Sequence, residues 1–124
     1  MKFTIPIEPR TKKNSQQLII AGGKPMIIPS KQYKAFEKDA IWFVPKEQID
    51  YSVNVKALFY MKTRRRVDLV NLLEALDDVL VVGGCVIDDN CKIISSHDGS
   101  RVLYDKLNPR IEVEIERSSY ENES

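Results

Sequence analysis

Two groups of acidic side chains near the middle of the chain have the types and spacing needed to bind a metal ion. Asp68 follows three arginines and stands at the start of an amphipathic segment, and Asp88 and Asp89 come after a predicted turn. Carboxylates that converge from separate elements are how proteins hold Mg²⁺ or Mn²⁺. Because arginines attract phosphate, this pattern predicts a metal site that acts on a phosphate, as in a metal-dependent nuclease.

The size and composition indicate a single globular domain. The chain has 124 residues, among them five tyrosines and four phenylalanines, which is enough for one modest core but not for two. No run approaches the roughly 18 apolar residues of a membrane span, and no signal-like apolar region follows Met1. We therefore expect a cytoplasmic protein.

The charges are unevenly distributed, although the formal net charge is only +1. Basic residues cluster at 10–13, 31–38 and 62–66, and acidic residues collect after Lys106. Such a total is compatible with one basic face and a solvated acidic tail. The alternative is that the basic clusters are simply solvated surface.

The cysteine and histidine content argues against a zinc site. Cys85 and Cys91 do not form a C-x-x-C pair, and His97 is the single histidine, so no zinc-ligand set results. We expect two free thiols in a reducing compartment rather than a disulfide.

Two amphipathic segments predict the helices that position these residues. The first begins at Pro29-Ser30, where Ser30 can cap the helix, and ends at Pro45. The second runs from about 69 to 81, turns a row of leucines inward and is stopped by Gly83-Gly84.

Alternating apolar residues predict the strands. The clearest pattern is at 53–61, and Gly22-Gly23 is a turn signal for a hairpin. The remaining predicted strands lie at 2–7, 18–21, 24–28, 92–96 and 111–115. The order β-β-β-α-β-α-β-β predicts an α+β fold, in which a mixed sheet carries two main helices on one face.

Four segments spread over the chain match the motifs of one known family. The match begins at I-P-I-E-P-R-T-K-K-N-S and continues through I-I-P-S-K-Q-Y-K-A-F-E. It is strongest at R-R-V-D-L-V-N-L-L-E-A-L-D-D-V-L and at the following G-C-V-I-D-D, where the family has D-L-D-N-L-x-K and an Asp-Asp pair. The chain thus resembles the RusA family of Holliday-junction resolvases, with 1–117 as the nuclease domain and 118–124 as a polar tail.

The resemblance implies a small homodimer that binds four-way DNA junctions and cuts opposed strands with Mg²⁺ or Mn²⁺ during recombination and repair. By position, Asp68 and Asp89 match the family's first and last catalytic aspartates, and Asn71 matches its asparagine. Two related sites on one dimer suit a junction that has approximate two-fold symmetry. The family also implies a phage or prophage gene in a bacterial host cell.

Two positions depart from the family pattern. Val70 stands where the family usually has a second aspartate, and Glu74 stands where it usually has a lysine. Positions 70 and 74 lie one turn apart on one helix face, so a carboxylate at 74 can reach toward a metal that one at 70 would have held. We hypothesise that Asp68, Glu74 and Asp89 form the catalytic metal set, with Asp88 as a further candidate ligand.

Each candidate also has a simpler structural interpretation. Asp68 can cap the helix, Asp88-Asp89 can be turn residues, and Glu74 can be an exposed helix residue. We expect Asp77 and Asp78, on the same helix, to be solvated.

The missing lysine leaves open which cation offsets the charge at the phosphate. The candidates are Lys12, Lys13, Arg65, Arg66 and Arg101, which together with Arg64 form the predicted DNA-binding set. His97 is either a proton donor or a structural residue.

Three other functions stay open. A junction-binding protein would keep the basic residues and the dimer but lose cleavage through the changes at 70 and 74. A nuclease for other branched DNA, such as forks or flaps, would prefer a different substrate. A domain without any nucleic-acid role is the third alternative.

Overall fold

The computed structural model describes residues 1–12, 16–29 and 31–118. Its strands are β1 (Lys2–Ile5), β2 (Gln16–Ala21), β3 (Lys24–Pro29), β4 (Val53–Met61), β5 (Ile94–Ser96), β6 (Arg101–Tyr104) and β7 (Arg110–Arg117). The helices are α1 (Lys31–Ala40) and α2 (Leu69–Val82), and a 3-10 turn at Ile41–Phe43 follows α1. These elements confirm the predicted α+β fold with two main helices.

The central strand of the sheet is β4. It pairs antiparallel with β7, from Val53 opposite Arg117 to Tyr60 opposite Arg110, and β1 extends the sheet beyond β7. On its other side, β4 pairs parallel with β5 near its start and with β6 near its end. The sheet is therefore mixed, as predicted, while β2 and β3 form a separate antiparallel hairpin.

The helix α2 makes the parallel pairing possible. Parallel strands need a long crossover, usually a helix, and α2 supplies it between β4 and β5. Leu72, Leu76 and Leu80 on this helix are at most 1 % exposed and share one core with Val55 and Phe59 of β4. Because one side of α2 is fixed to the sheet in this way, its opposite side is held in solvent.

Two elements differ from those predicted. The α-helix α1 ends at Ala40 and passes into the 3-10 turn at Ile41–Phe43. That turn ends before Pro45, because the residue before a proline is pushed to extended backbone and Val44 has φ −94° and ψ 124°. The strand β6 has no predicted counterpart, since its side chains are exposed or half-buried and do not alternate. Ser30, the predicted helix cap, lies outside the described residues.

The cysteines are both free, as predicted. Cys85 is buried and Cys91 is exposed, and burial raises the pKa of the Cys85 thiol to about 11. In the described part of the chain, no helix combines the length and apolar character that a membrane span needs.

Truncation of the α2 core should destabilise the whole domain. We expect Leu76→Ala to lower the free energy of unfolding by about 2–5 kcal/mol, because it leaves a cavity at a fully buried position. The matched control is Val82→Ala at the 59 % exposed end of the same helix, which should cost at most about 0.5 kcal/mol. Equal losses in urea unfolding would show that α2 is not packed as described.

Candidate active site

Asp68 stands at the N-terminus of α2 but does not cap the helix with its side chain. Its backbone is extended, with φ −89° and ψ 127°, and its side chain accepts no capping hydrogen bond from the helix amides. The carboxylate instead accepts a hydrogen bond from Asn71 Nδ2 at 3.3 Å. The simple capping interpretation is therefore wrong for this side chain, which is exposed and held by the asparagine of the motif.

The solvent side of α2 carries both positions that depart from the family pattern. Val70 is 72 % exposed, and Glu74, one turn further along, is also exposed. Both lie within the regular helix, one turn apart on its solvent side, while the migrated carboxylate itself stays a hypothesis. An apolar side chain this exposed contributes little to the core, which leaves position 70 open to substitution.

Asp88 and Asp89 have different roles in the turn that follows α2. Asp88 Oδ1 accepts the backbone N–H of Asp89 at 2.7 Å, and Oδ2 accepts Asn90 Nδ2 at 3.1 Å. The hydrogen bond from the Asp89 backbone is the main cause that lowers the pKa of Asp88. The turn interpretation thus applies to Asp88, whose two carboxylate oxygens both accept hydrogen bonds from the next two residues.

The prediction that Asp77 is solvated is wrong. Asp77 is only 8 % exposed, and His97 Nε2 lies 2.9 Å and 3.1 Å from its two carboxylate oxygens. His97 reaches α2 because it follows β5, which lies beside β4 under the helix. Burial is the largest cause that raises the pKa of Asp77, and the nearby charge of Asp89 raises it further.

The same prediction is wrong for Asp78, which is half-buried and forms an ion pair with Lys12. Lys12 Nζ also lies 5.7 Å from the ring centroid of Tyr33. The hydrogen bond to Asp78 is the main cause that raises the pKa of Lys12, and the charge of Glu74 contributes as well. The amino-terminal loop therefore brings a lysine to the acidic side of α2.

The other predicted basic residues lie in three different settings. The guanidinium of Arg64 stacks on Tyr104 of β6, at 4.1 Å from the ring centroid. Arg65 and Arg66 line a small pocket beside the start of α2, and Arg101 is exposed at the start of β6. Lys13 lies outside the described residues.

Residues 6–116 match the family of the endodeoxyribonuclease RusA. That range includes both helices and the Asp88-Asp89 turn. The chain belongs to the RusA endodeoxyribonuclease family. No curated protein matches the chain in a sequence search. Membership of this family makes the acidic side of α2 and its surroundings the candidate active site of a DNA-cutting enzyme.

The carboxylates of this RusA-family chain do not form a ready-made metal cage. Within residues 1–12, 16–29 and 31–118, no three His, Cys, Asp or Glu side chains are placed to hold one ion. The charge of Asp89 acts on the pKa of Asp77. Asp77 lies nine residues after Asp68, which is roughly 13 Å along the helix axis. Carboxylate oxygens nevertheless suit Mg²⁺, which proteins often hold through one or two carboxylates, waters and a substrate phosphate. The chemistry of these carboxylates therefore suits Mg²⁺, but in the described residues they are not gathered around one position.

The pair of Asp77 and His97 could not be found from the motif. The two residues are 20 positions apart, and only the path of β5 brings them together. The one available signal is the helical position of Asp77 between the inward-facing Leu73 and Leu80, which places it at the edge of the buried side. A residue at that edge is covered or exposed according to what packs beside the helix.

The substitution Asp77→Asn should change how stability depends on pH. Burial raises the folded-state pKa of Asp77 above its unfolded value. The stability linked to the protonated carboxyl is therefore fully present below the unfolded pKa, and it is lost as pH rises through the folded pKa. The native protein should therefore lose stability relative to the variant as pH rises above about 4, the usual value for an unfolded aspartate, as measured by urea unfolding.

The matched control for this pH experiment is Asp39→Asn, which removes an exposed carboxylate from α1. Its stability curve should run parallel to that of the native protein. If Asp77→Asn also gave a parallel curve, Asp77 would not be a buried carboxylate with a raised pKa.

Proposed function

We propose that this RusA-family chain is a Mg²⁺- or Mn²⁺-dependent nuclease that resolves four-way DNA junctions by cutting opposed strands, in recombination and repair. The observation that carries the proposal is the state of Asp68. Its carboxylate occupies the family's first catalytic position, is exposed and is not consumed in capping α2. Three arginines, Arg64 to Arg66, stand just before it with only Val67 between, which suits an anionic substrate.

The proposed metal ligands are Asp68, Glu74 and Asp89. Glu74 lies in the second turn of α2, and it supplies the carboxylate that the family usually has at position 70. We assign Asp88 to the turn, because both its oxygens accept hydrogen bonds that hold Asp89 and Asn90 in place. When bound, a divalent cation supplies Lewis-acid activation of water and of the phosphodiester.

Lys12 is the proposed replacement for the family's lysine. Among the candidate cations in the described part of the chain, it is the one that forms an ion pair on α2 and feels the charge of Glu74. An ammonium group at this place can offset charge that builds on the phosphate during cleavage. Asp78 would hold Lys12 in position.

The substrate is proposed to be branched DNA bound by a homodimer, so that two sites meet the two strands of a symmetric junction. Arg65, Arg66 and Arg101 are exposed and available for backbone contacts. Recognition through phosphates makes binding weaken steeply with salt. A cytoplasmic location in a bacterial cell that carries a phage or prophage gene stays a prediction.

Cleavage of a synthetic four-way junction tests this function. With Mg²⁺ or Mn²⁺, the native protein should give paired nicks at symmetric positions in opposed strands. Asp68→Asn and Glu74→Gln should each slow cutting by at least about 100-fold, because loss of a ligand is at least as costly as loss of a residue that supports one. The matched control is Glu116→Gln on β7, which should cut at the native rate.

The outcomes separate the rival functions. Tight junction binding without cutting under either metal would make the chain a junction-binding protein. Faster cutting of forks or flaps than of four-way junctions would make it a nuclease for other branched DNA. Native cutting by Glu74→Gln would remove Glu74 from the active site.

A further inference from the structure

A small pocket lies beside the N-terminus of α2, between the amino-terminal loop and the segment that joins β4 to α2. Its volume is about 110 Å³, several times the roughly 30 Å³ that one water molecule occupies. The apolar part of its lining includes Met61, Val67 and Leu72. The polar lining includes Arg10, Arg65 and Arg66 together with the side chains of Glu8, Thr11, Gln32 and Thr63.

The charge of this pocket favours an anion. Three guanidinium groups line it against one carboxylate, Glu8, and that carboxylate already bonds Arg10 at 3.2 Å. Arg65 and Arg66 have no carboxylate within ion-pair distance in the described ranges. Guanidinium groups bind phosphate through paired N–H donors, so two of the three cations are available to a phosphate.

The pocket adjoins the proposed catalytic carboxylate. Val67 lines it and directly precedes Asp68, and Leu72, which also lines it, donates its backbone N–H to the Asp68 carbonyl at 3.2 Å. Successive charges on one DNA strand follow each other at about 3.4 Å along the helix axis. Because the pocket begins at the residue next to Asp68, a neighbouring phosphate is the part of a strand held at Asp68 that would meet it.

The arginine run is divided by the structure. Arg64 stacks on Tyr104, while Arg65 and Arg66 line the pocket, where the amino-terminal loop adds Arg10. Three adjacent arginines in sequence thus belong to two different surfaces.

We propose that this pocket binds one backbone phosphate of the cleaved strand, next to the phosphate at which cutting occurs. This assignment rests on the proposed nuclease function, and it adds Arg10 to the DNA-binding residues. The pocket sets the register of the strand against Asp68, whereas Arg64 contributes general charge.

Single neutral linkages in the DNA test the assignment. In an Asp68→Asn background that does not cut, binding is measured by fluorescence anisotropy to junctions that each carry one methylphosphonate near the cleavage position. One such junction should bind about tenfold more weakly, as expected for the loss of one charge-assisted contact. When Arg65→Gln or Arg66→Gln is combined with Asp68→Asn, binding to the unmodified junction should also weaken about tenfold. The same substitution should cause no further loss of affinity for the junction that carries the sensitive methylphosphonate.

Arg64→Gln is the matched control, because it removes a neighbouring arginine outside the pocket. Its loss of affinity should be the same on every junction. If the losses from Arg65→Gln and Arg66→Gln were also the same on every junction, the pocket would not bind a defined phosphate.

A parallel series on linear duplexes separates this inference from the proposed function. If the protein bound duplexes more tightly than junctions, the proposed junction resolution would fail. The pocket would still be supported if, on the duplex, Arg65→Gln or Arg66→Gln caused no further loss of affinity at one methylphosphonate position. We call this dependence coupling between the arginine and the linkage. Absence of coupling on both kinds of DNA, or absence of DNA binding, would overturn it. A free mononucleotide that competes as well as an equal concentration of DNA strand would identify the ligand as a free phosphate group instead of the backbone.

Discussion

The packing of one side of α2 against β4 is the constraint on which the rest of the structure depends. The buried leucines fix the rotation of the helix about its axis, and this rotation decides which side chains reach solvent. Val70 and Glu74 are exposed for this reason, and Asp77 lies at the boundary of the core. The candidate active site is therefore a consequence of core packing, because the same helix supplies both.

At the boundary of the core, α2 carries a buried carboxylate, Asp77, that is paired with a histidine. A buried carboxylate is costly unless it is paired, and Asp77 is paired with His97 from the end of β5. This pair ties the crossover helix to the returning strand. On the other side of the acidic surface, Lys12 pairs with Asp78, so that loops distant in sequence supply both partners.

Much of the scaffold could be predicted because its signals are local. The alternation in β4, the leucine spacing in α2 and the Gly22-Gly23 turn each follow from neighbouring residues, and each was found in the structure. The strand β6 could not be predicted, because backbone pairing to β4 holds it rather than an apolar face. The burial of Asp77 and the choice of Lys12 depend on contacts between distant segments, which a single sequence does not specify.

We propose that a carboxylate essential to cutting stands at position 74 instead of position 70, along one side of α2. The most direct measurement compares junction cleavage by the native protein, by Glu74→Lys, and by Glu74→Lys combined with Val70→Asp, which restores the usual family pattern. We expect Glu74→Lys to abolish cutting and the double variant to recover it to within about tenfold of the native rate. Native cutting by Glu74→Lys alone would contradict the claim.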